Sequence, residues 1–129
     1  MDISKASIII TGAGGDLGSA LIDYFLQVAK HVYAIDVKAD GLKDKFESPD
    51  HLSVLNCNLT APDAITSSFK EIADVTDIHV PNVLVNNAGL IHSELMFDLF
   101  NSEEKSHNIE AWNSVLSANL DTTFKMSRY

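Results

Sequence analysis

Three consecutive isoleucines run straight into a cluster of glycines: Ser7-Ile8-Ile9-Ile10-Thr11 is followed by Gly12-Ala13-Gly14-Gly15-Asp16-Leu17-Gly18. An uninterrupted apolar run fits a strand buried on both faces, as strands of parallel sheets are. The glycines behind it permit positive φ and let a ligand approach the backbone closely. Leu17, Ala20, Leu21, Tyr24, Phe25 and Val28 then recur at spacings of three and four, which predicts a helix with those residues as its apolar stripe. A strand, a glycine turn and a helix in succession aim the helix N-terminus, with its free N–H groups and about half a positive charge, at one spot. Such a spot suits a phosphate-bearing ligand.

The pattern then repeats. Residues 31–35 form a second apolar run closed by Asp36, 52–55 a short third one, and 83–85 a fourth preceded by Pro81. The polar stretch 37–50 has room for one short helix at 42–46. Ile65, Phe69, Ile72 and Ala73 carry the stripe of another helix; Thr60 can cap it, Pro62 fits its first turn, and Asp63 suits the positive end of its dipole. A loop with a short helical piece at 94–100 is expected next. A long helix from about Ile109 follows, with Trp112, Val115, Leu116, Leu120 and Phe124 inside. The order βαβαβαβα predicts an α/β fold, a doubly wound parallel sheet of about four strands in one domain spanning 1–129. Such sheets hold ligands at the carboxyl ends of their strands. Those ends carry Gly12, Asp36, Asn58 and Asn86-Asn87-Ala88-Gly89.

Composition narrows the ligand. The 129 residues include 9 Lys and Arg against 18 Asp and Glu, a net charge of −9. That argues against a nucleic-acid surface, which needs clustered cations. It leaves open a small anion held by backbone N–H groups. A single cysteine, Cys57, excludes an internal disulfide and any multi-cysteine metal site; it is expected to be a small buried residue or one beside the ligand. No run approaches a ~20-residue membrane span or a signal-peptide core, so a soluble cytoplasmic protein is expected. His31, His51, His79, His92 and His107 are scattered without an i,i+4 pair and read as surface or loop histidines, with no metal site. His92 lies nearest the expected site mouth. The acidic residues of 94–110 read as a solvated loop.

The glycine loop fits the G-x-G-x-x-G fingerprint poorly, because Leu17 stands where its third glycine belongs. No Lys-Ser/Thr pair follows, so it is not a nucleoside triphosphate P-loop. Asp36 lies 24 residues beyond Gly12, near the spacing of a carboxylate that accepts hydrogen bonds from an adenosine ribose. It would repel a 2′-phosphate, which favours NAD over NADP, with Lys38 as a partial offset.

Asn86-Asn87-Ala88-Gly89 after a buried strand, Asn119 placed 30 residues beyond Gly89, and the Thr11-Gly12 loop together resemble the short-chain dehydrogenase/reductase family. The resemblance covers nearly the whole chain but only the amino-terminal, cofactor-binding half of the family fold. It implies a Rossmann-like sheet and hydride transfer between a nicotinamide cofactor and a small alcohol or carbonyl substrate. It also implies roles. Thr11 and the Asn-Asn-Ala-Gly segment would tie the central sheet together. Gly12, Gly14, Gly15, Asp16, Leu17 and Gly18 would form the pyrophosphate loop. Asp36 would set cofactor preference, and Asn58 with Leu59 would meet the adenine. Ala88 and Gly89, with Asn87 beside them, would face the nicotinamide-side ribose. Asn119 would be the catalytic asparagine that holds a water in the proton relay.

The chain departs from the family pattern in three places. Asp16 replaces the usual second loop glycine, and Gly12-x-x-Gly15-x-x-Gly18 instead resembles the extended branch that includes nucleotide-sugar epimerases. Asn58 stands where the family has aspartate, keeping an acceptor for the adenine amine and adding a donor. The family's catalytic serine and Tyr-x-x-x-Lys pair are not in this sequence, and Tyr129 is its last residue. The expectation is cofactor binding without turnover by this stretch alone. A non-catalytic NAD-binding or regulatory module and an epimerase fragment are the alternatives. The strand at 83–85 is expected at a sheet edge. Leu116, Leu120, Phe124 and Met126 are expected to lack a neighbour, which predicts a homo-oligomer or a partner fragment.

Overall fold

The computed structural model describes residues 2–47, 50–61, 63–75, 80–97, 99–100 and 106–129. After a single 3₁₀ turn at Ile3–Lys5, the elements are β1 (Ser7–Thr11), α1 (Asp16–Val28), β2 (His31–Asp36), α2 (Leu42–Lys45), β3 (Leu52–Asn56), α3 (Ala64–Val75), β4 (Val83–Val85) and α4 (Ile109–Leu116). A π-helical turn at Ser117–Asp121 joins α4 to α5 (Thr122–Ser127). The four strands form one parallel sheet in the order β3-β2-β1-β4. This is the Rossmann-like arrangement expected: β1 is central and the chain reverses direction across the sheet between β1 and β4.

The triple isoleucine explains the architecture. Alternate strand residues face opposite sides, so Ile8 and Ile10 join Val32, Ala34 and Ile22 of α1 in one core. Ile9 joins Tyr33, Ile35, Leu55, Ile65, Ile72 and Met126 in the other. Burying an isoleucine completely contributes about 1.5–3 kcal/mol, and both layers draw on this run. Asn82 fixes the entry to β4: its side chain accepts from Ser7 N at 3.0 Å while its own N–H donates to Ser7 O at 2.9 Å.

Helix phases differ in part from the expected stripes: Leu21, Phe25 and Phe69 pack against the core as expected, but other stripe residues turn outward. In α1 the buried residues are Gly18, Ser19 and Ile22, whereas Leu17 and Tyr24 are exposed. Close approach of Gly18 to the loop sets the phase, since a Cβ there would lie 2.1 Å from Gly12 O. In α3 Ile65 and Ile72 are buried as expected, but Ser68 takes the third buried place and Ala73 is exposed. The Ser68 hydroxyl donates to Ala64 O at 3.0 Å, which lets a polar residue sit there. This helix begins at Ala64, later than Thr60 predicts; Pro62 lies outside the described residues. Thr60 instead pairs with Asn58.

Two further expectations change. Among the described residues of 94–100 there is no helix; Phe97 makes an isolated antiparallel bridge with Ser106, and Asp98 lies outside the described residues. In the last helix Ala118, Thr122 and Met126 face the sheet, while Trp112, Leu116, Leu120 and Phe124 are exposed. Met126, only 1% exposed, therefore has its neighbour after all. β4 forms an edge of the sheet, as expected. Among the described residues no helix is long and apolar enough to cross a membrane.

Candidate functional site

At the carboxyl end of β1, the Thr11 hydroxyl joins the two crossover loops. It accepts from Asn87 N and Ala88 N, both at 3.0 Å, and donates to Val85 O. Asn87 reciprocates, its amide Nδ2 donating to Thr11 O at 3.0 Å and Gly12 O at 3.1 Å. Gly12 sits at φ +65°, and a Cβ there would come within 2.7 Å of Ala88 Cα. The two loops thus pack backbone against backbone, which requires glycine at position 12. Asn86 reaches the other way and donates to Ser127 Oγ at 3.1 Å.

The first turn of α1 has no side-chain cap at Gly15. Its leading N–H groups therefore remain available to an anion. A Cβ on Gly15 would meet nothing nearer than Gly12 O at 3.5 Å, so the loop is open on that side. Asp16 is exposed at the helix start, where its charge favours the dipole. Leu17 is exposed as well, and Gly18 makes the close helix–loop contact that the fingerprint assigns to its third glycine.

Asp36 closes the other side of the loop. One carboxylate oxygen accepts from Gly14 N at 2.9 Å and the other from Lys38 N at 2.8 Å. A Cβ on Gly14 would lie 3.1 Å from Asp36 Cγ, a tight fit that the carboxylate would have to yield to slightly. Asn58 uses its carbonyl oxygen locally, accepting from Thr60 N at 3.1 Å and the Thr60 hydroxyl at 2.7 Å. The expected acceptor is thus engaged by Thr60. Leu59 is buried, and half-buried Cys57 contacts Ala64 O at 3.7 Å. Gly12, Asp36, Cys57, Asn58, Leu59, Ala88 and Gly89 converge on a cleft of about 370 Å³ that Leu90 and Ala118 complete.

Asn119 stands at the far end, in the π-helical turn. The Thr122 N–H bonds to Ser117 O, five residues back, and such widened turns recur at functional sites. Asn119 Nδ2 donates to Leu90 O at 2.8 Å and to Val115 O at 2.9 Å. Its Oδ1 lies where a Cβ on Gly89 would be, at 2.3 Å. Gly89 is therefore the residue that admits the carboxamide against the β4 loop.

Beyond Leu90 the chain shows a cluster that sequence reasoning missed. Glu94 Oε2 accepts from His92 Nε2 and from Asn108 N, both at 3.1 Å, and lies 3.8 Å from His107 Nδ1. The hydrogen bond from His92, with that from Asn108, holds the Glu94 carboxyl below the usual carboxylate range. Thirteen residues separate Glu94 from His107, so only the folding back of the loop brings His107 to the other two. His92 and Glu94 are exposed, as expected of a solvated loop, but they are brought together with His107. His31 is buried rather than at the surface, bonded to Ser53 Oγ at 2.9 Å. His51 contacts Leu26 O at 3.0 Å, and His79 lies outside the described residues.

The sequence profile of the family described as short chain dehydrogenase matches residues 6–129. The chain belongs to that family. A 3-oxoacyl-[acyl-carrier-protein] reductase FabG of Buchnera aphidicola is 28% identical, covering 98% of this chain and 48% of its own length. A short chain dehydrogenase of Leptospira borgpetersenii, solved with bound NAD+, is 25% identical with a TM-score of 0.76, covering 99% of this chain and 45% of that one. An NADPH-bound carbonyl reductase from chicken fatty liver shares the fold at 19% identity and a TM-score of 0.78, covering 96% and 49%. The chain spans about half the length of the relatives it matches. These relatives are oxidoreductases and do not favour the epimerase or regulatory-module readings.

Proposed function

We propose that this chain is the cofactor-binding half of an NAD-dependent oxidoreductase acting on a small alcohol or carbonyl substrate. The observation that carries the reading is the cleft itself. An uncapped helix N-terminus, a glycine loop with an open side and the Asp36 carboxylate meet at the carboxyl ends of a parallel sheet. The residues fit a dinucleotide: the α1 N–H groups would take the pyrophosphate, Asp36 the adenosine ribose, Asn58 Nδ2 with Leu59 the adenine, and Ala88 and Gly89 the second ribose. A nicotinamide bound there supplies the hydride donor or acceptor. Asn119, fixed by Leu90 O and Val115 O, holds its Oδ1 beside Gly89, where it would orient a water for proton transfer. The exposed Leu116, Leu120 and Phe124 form the surface that a second copy or partner fragment would cover.

Preference for NAD rests on Asp36. Both of its oxygens accept backbone N–H groups, which fixes the carboxylate at the end of β2, where a 2′-phosphate would meet it. Calorimetric titration of the chain with NADH and NADPH tests both parts. NADH is expected to bind at least about tenfold more tightly, a difference of ~1.4 kcal/mol, and Asp36→Ala should narrow the ratio. Tighter binding of NADPH would reverse the preference, and binding of neither by folded protein would remove the proposal.

A further inference from the structure

We infer that His92, Glu94 and His107 form a binding site for a divalent transition metal of the zinc class, separate from the dinucleotide cleft. Their donor atoms all lie within 4.8 Å of one another. Two separations are measured directly, 3.1 Å from His92 Nε2 to Glu94 Oε2 and 3.8 Å from His107 Nδ1 to the same oxygen. Tetrahedral zinc with bonds of about 2.0–2.2 Å spaces neighbouring ligand atoms at ~3.4 Å. The two measured edges straddle that value, and the third closes furthest. Two imidazoles and one carboxylate suit zinc better than the oxygen-seeking magnesium or calcium. Three protein ligands leave a fourth position for water, and His92 and Glu94 are exposed, so an ion enters directly from solvent.

The surrounding structure holds the ligands in place. Asn108 N–H fixes the Glu94 oxygen at 3.1 Å, and the Asn108 side chain caps α4 by accepting from Ala111 N at 2.8 Å. His107 N donates to Met96 O at 3.1 Å beside the Phe97–Ser106 bridge. Its ring meets Trp112 edge-on at 6.4 Å and His92 at 5.7 Å. Metal binding requires His92 Nε2 to give up its hydrogen bond to Glu94 and ligate with its lone pair, and it requires His107 Nδ1 to ligate with its lone pair as well. For His107 that places the ring proton on Nε2 and gives up the 3.0 Å contact of Nδ1 with Asn108 O. In return the ion joins the two ends of the loop between β4 and α4, two residues beyond Leu90 at the rim of the cleft. The net charge of −9 favours cation capture.

The test is a titration of the chelator-stripped chain with Zn²⁺ alone in a non-coordinating buffer, with Co²⁺ as an optical probe of geometry. One equivalent of Zn²⁺ is expected to bind and to raise the melting temperature. Co²⁺ should give the intense visible bands of a four-coordinate site. His92→Gln, at an exposed position, and His107→Gln should each weaken binding about 100-fold or more, beyond the ~10–100-fold of outer-shell changes. His51→Gln should leave it unaltered. Circular dichroism of each variant verifies its fold. Absence of Zn²⁺ binding by the unsubstituted chain, or equal binding by the folded His92→Gln and His107→Gln variants, would overturn the site. NADH titration of the same samples reports independently on the cleft.

Discussion

The two sides of the sheet's central strand are finished to different degrees. Toward β2, Ile8, Ile10, Val32, Ala34 and Ile22 are completely buried. Toward β4 and the last helix, large apolar residues face water: Ile91 is 96% exposed, Phe100 97% and Phe124 67%. Hydrophobic stabilisation scales with area removed from water, so these exposed residues contribute little to it. The second side carries the parts of the site that Asn119 and the β4 loop contribute. The candidate cleft draws on both sides, with Asp36 and Asn58 from one and Ala88 and Gly89 from the other.

Substitutions can sharpen or break that contrast. The largest effect is expected at Ile22→Ala, which empties a fully buried position between α1 and the sheet and should cost about 2–5 kcal/mol in urea denaturation. Thr11→Val, on the boundary between the sides, keeps the shape but removes the oxygen that accepts from Asn87 N and Ala88 N. A loss of about 1–3 kcal/mol is expected, with weaker NADH binding because the two loops lose their common anchor. The smallest stability effect belongs to Phe124→Ser, within about 0.5 kcal/mol. It should nonetheless shift sedimentation toward monomer if the exposed stripe is a contact surface. A destabilisation by Phe124→Ser as large as that of Ile22→Ala would erase the distinction between the two sides.

The strands were legible because parallel strands read as continuous apolar runs: 7–11 and 83–85 fall where the buried β1 and the half-buried edge strand β4 are found. The glycine loop, Asp36 and the Asn-Asn-Ala-Gly segment were legible because each ends a strand. Helix phase was legible only in part: Leu21, Phe25, Ile65, Phe69 and Ile72 pack on the core as expected. Stripe counting favours large apolar residues, yet the surfaces that meet the sheet are built on Gly18, Ser19, Ala118 and Thr122, whose small size permits close approach. Leu17, Leu120 and Phe124 consequently turn outward. The occupation of the Asn58 carbonyl by Thr60 depends on a local turn that residue type alone does not reveal. The His92, Glu94 and His107 cluster depends on loop closure between positions distant in the chain.

The π-helical turn at Ser117–Asp121 acts as a phase adjuster for everything downstream. An ordinary helix advances about 100° per residue. One residue fewer in that turn would swing Met126 away from Ile9 and Tyr33 and bring a different flank of the helix against the sheet. The wide turn that sets Asn119 against Gly89 thereby lets one rod meet two demands, the contact with the β4 loop at its middle and the seam with the sheet at its tail.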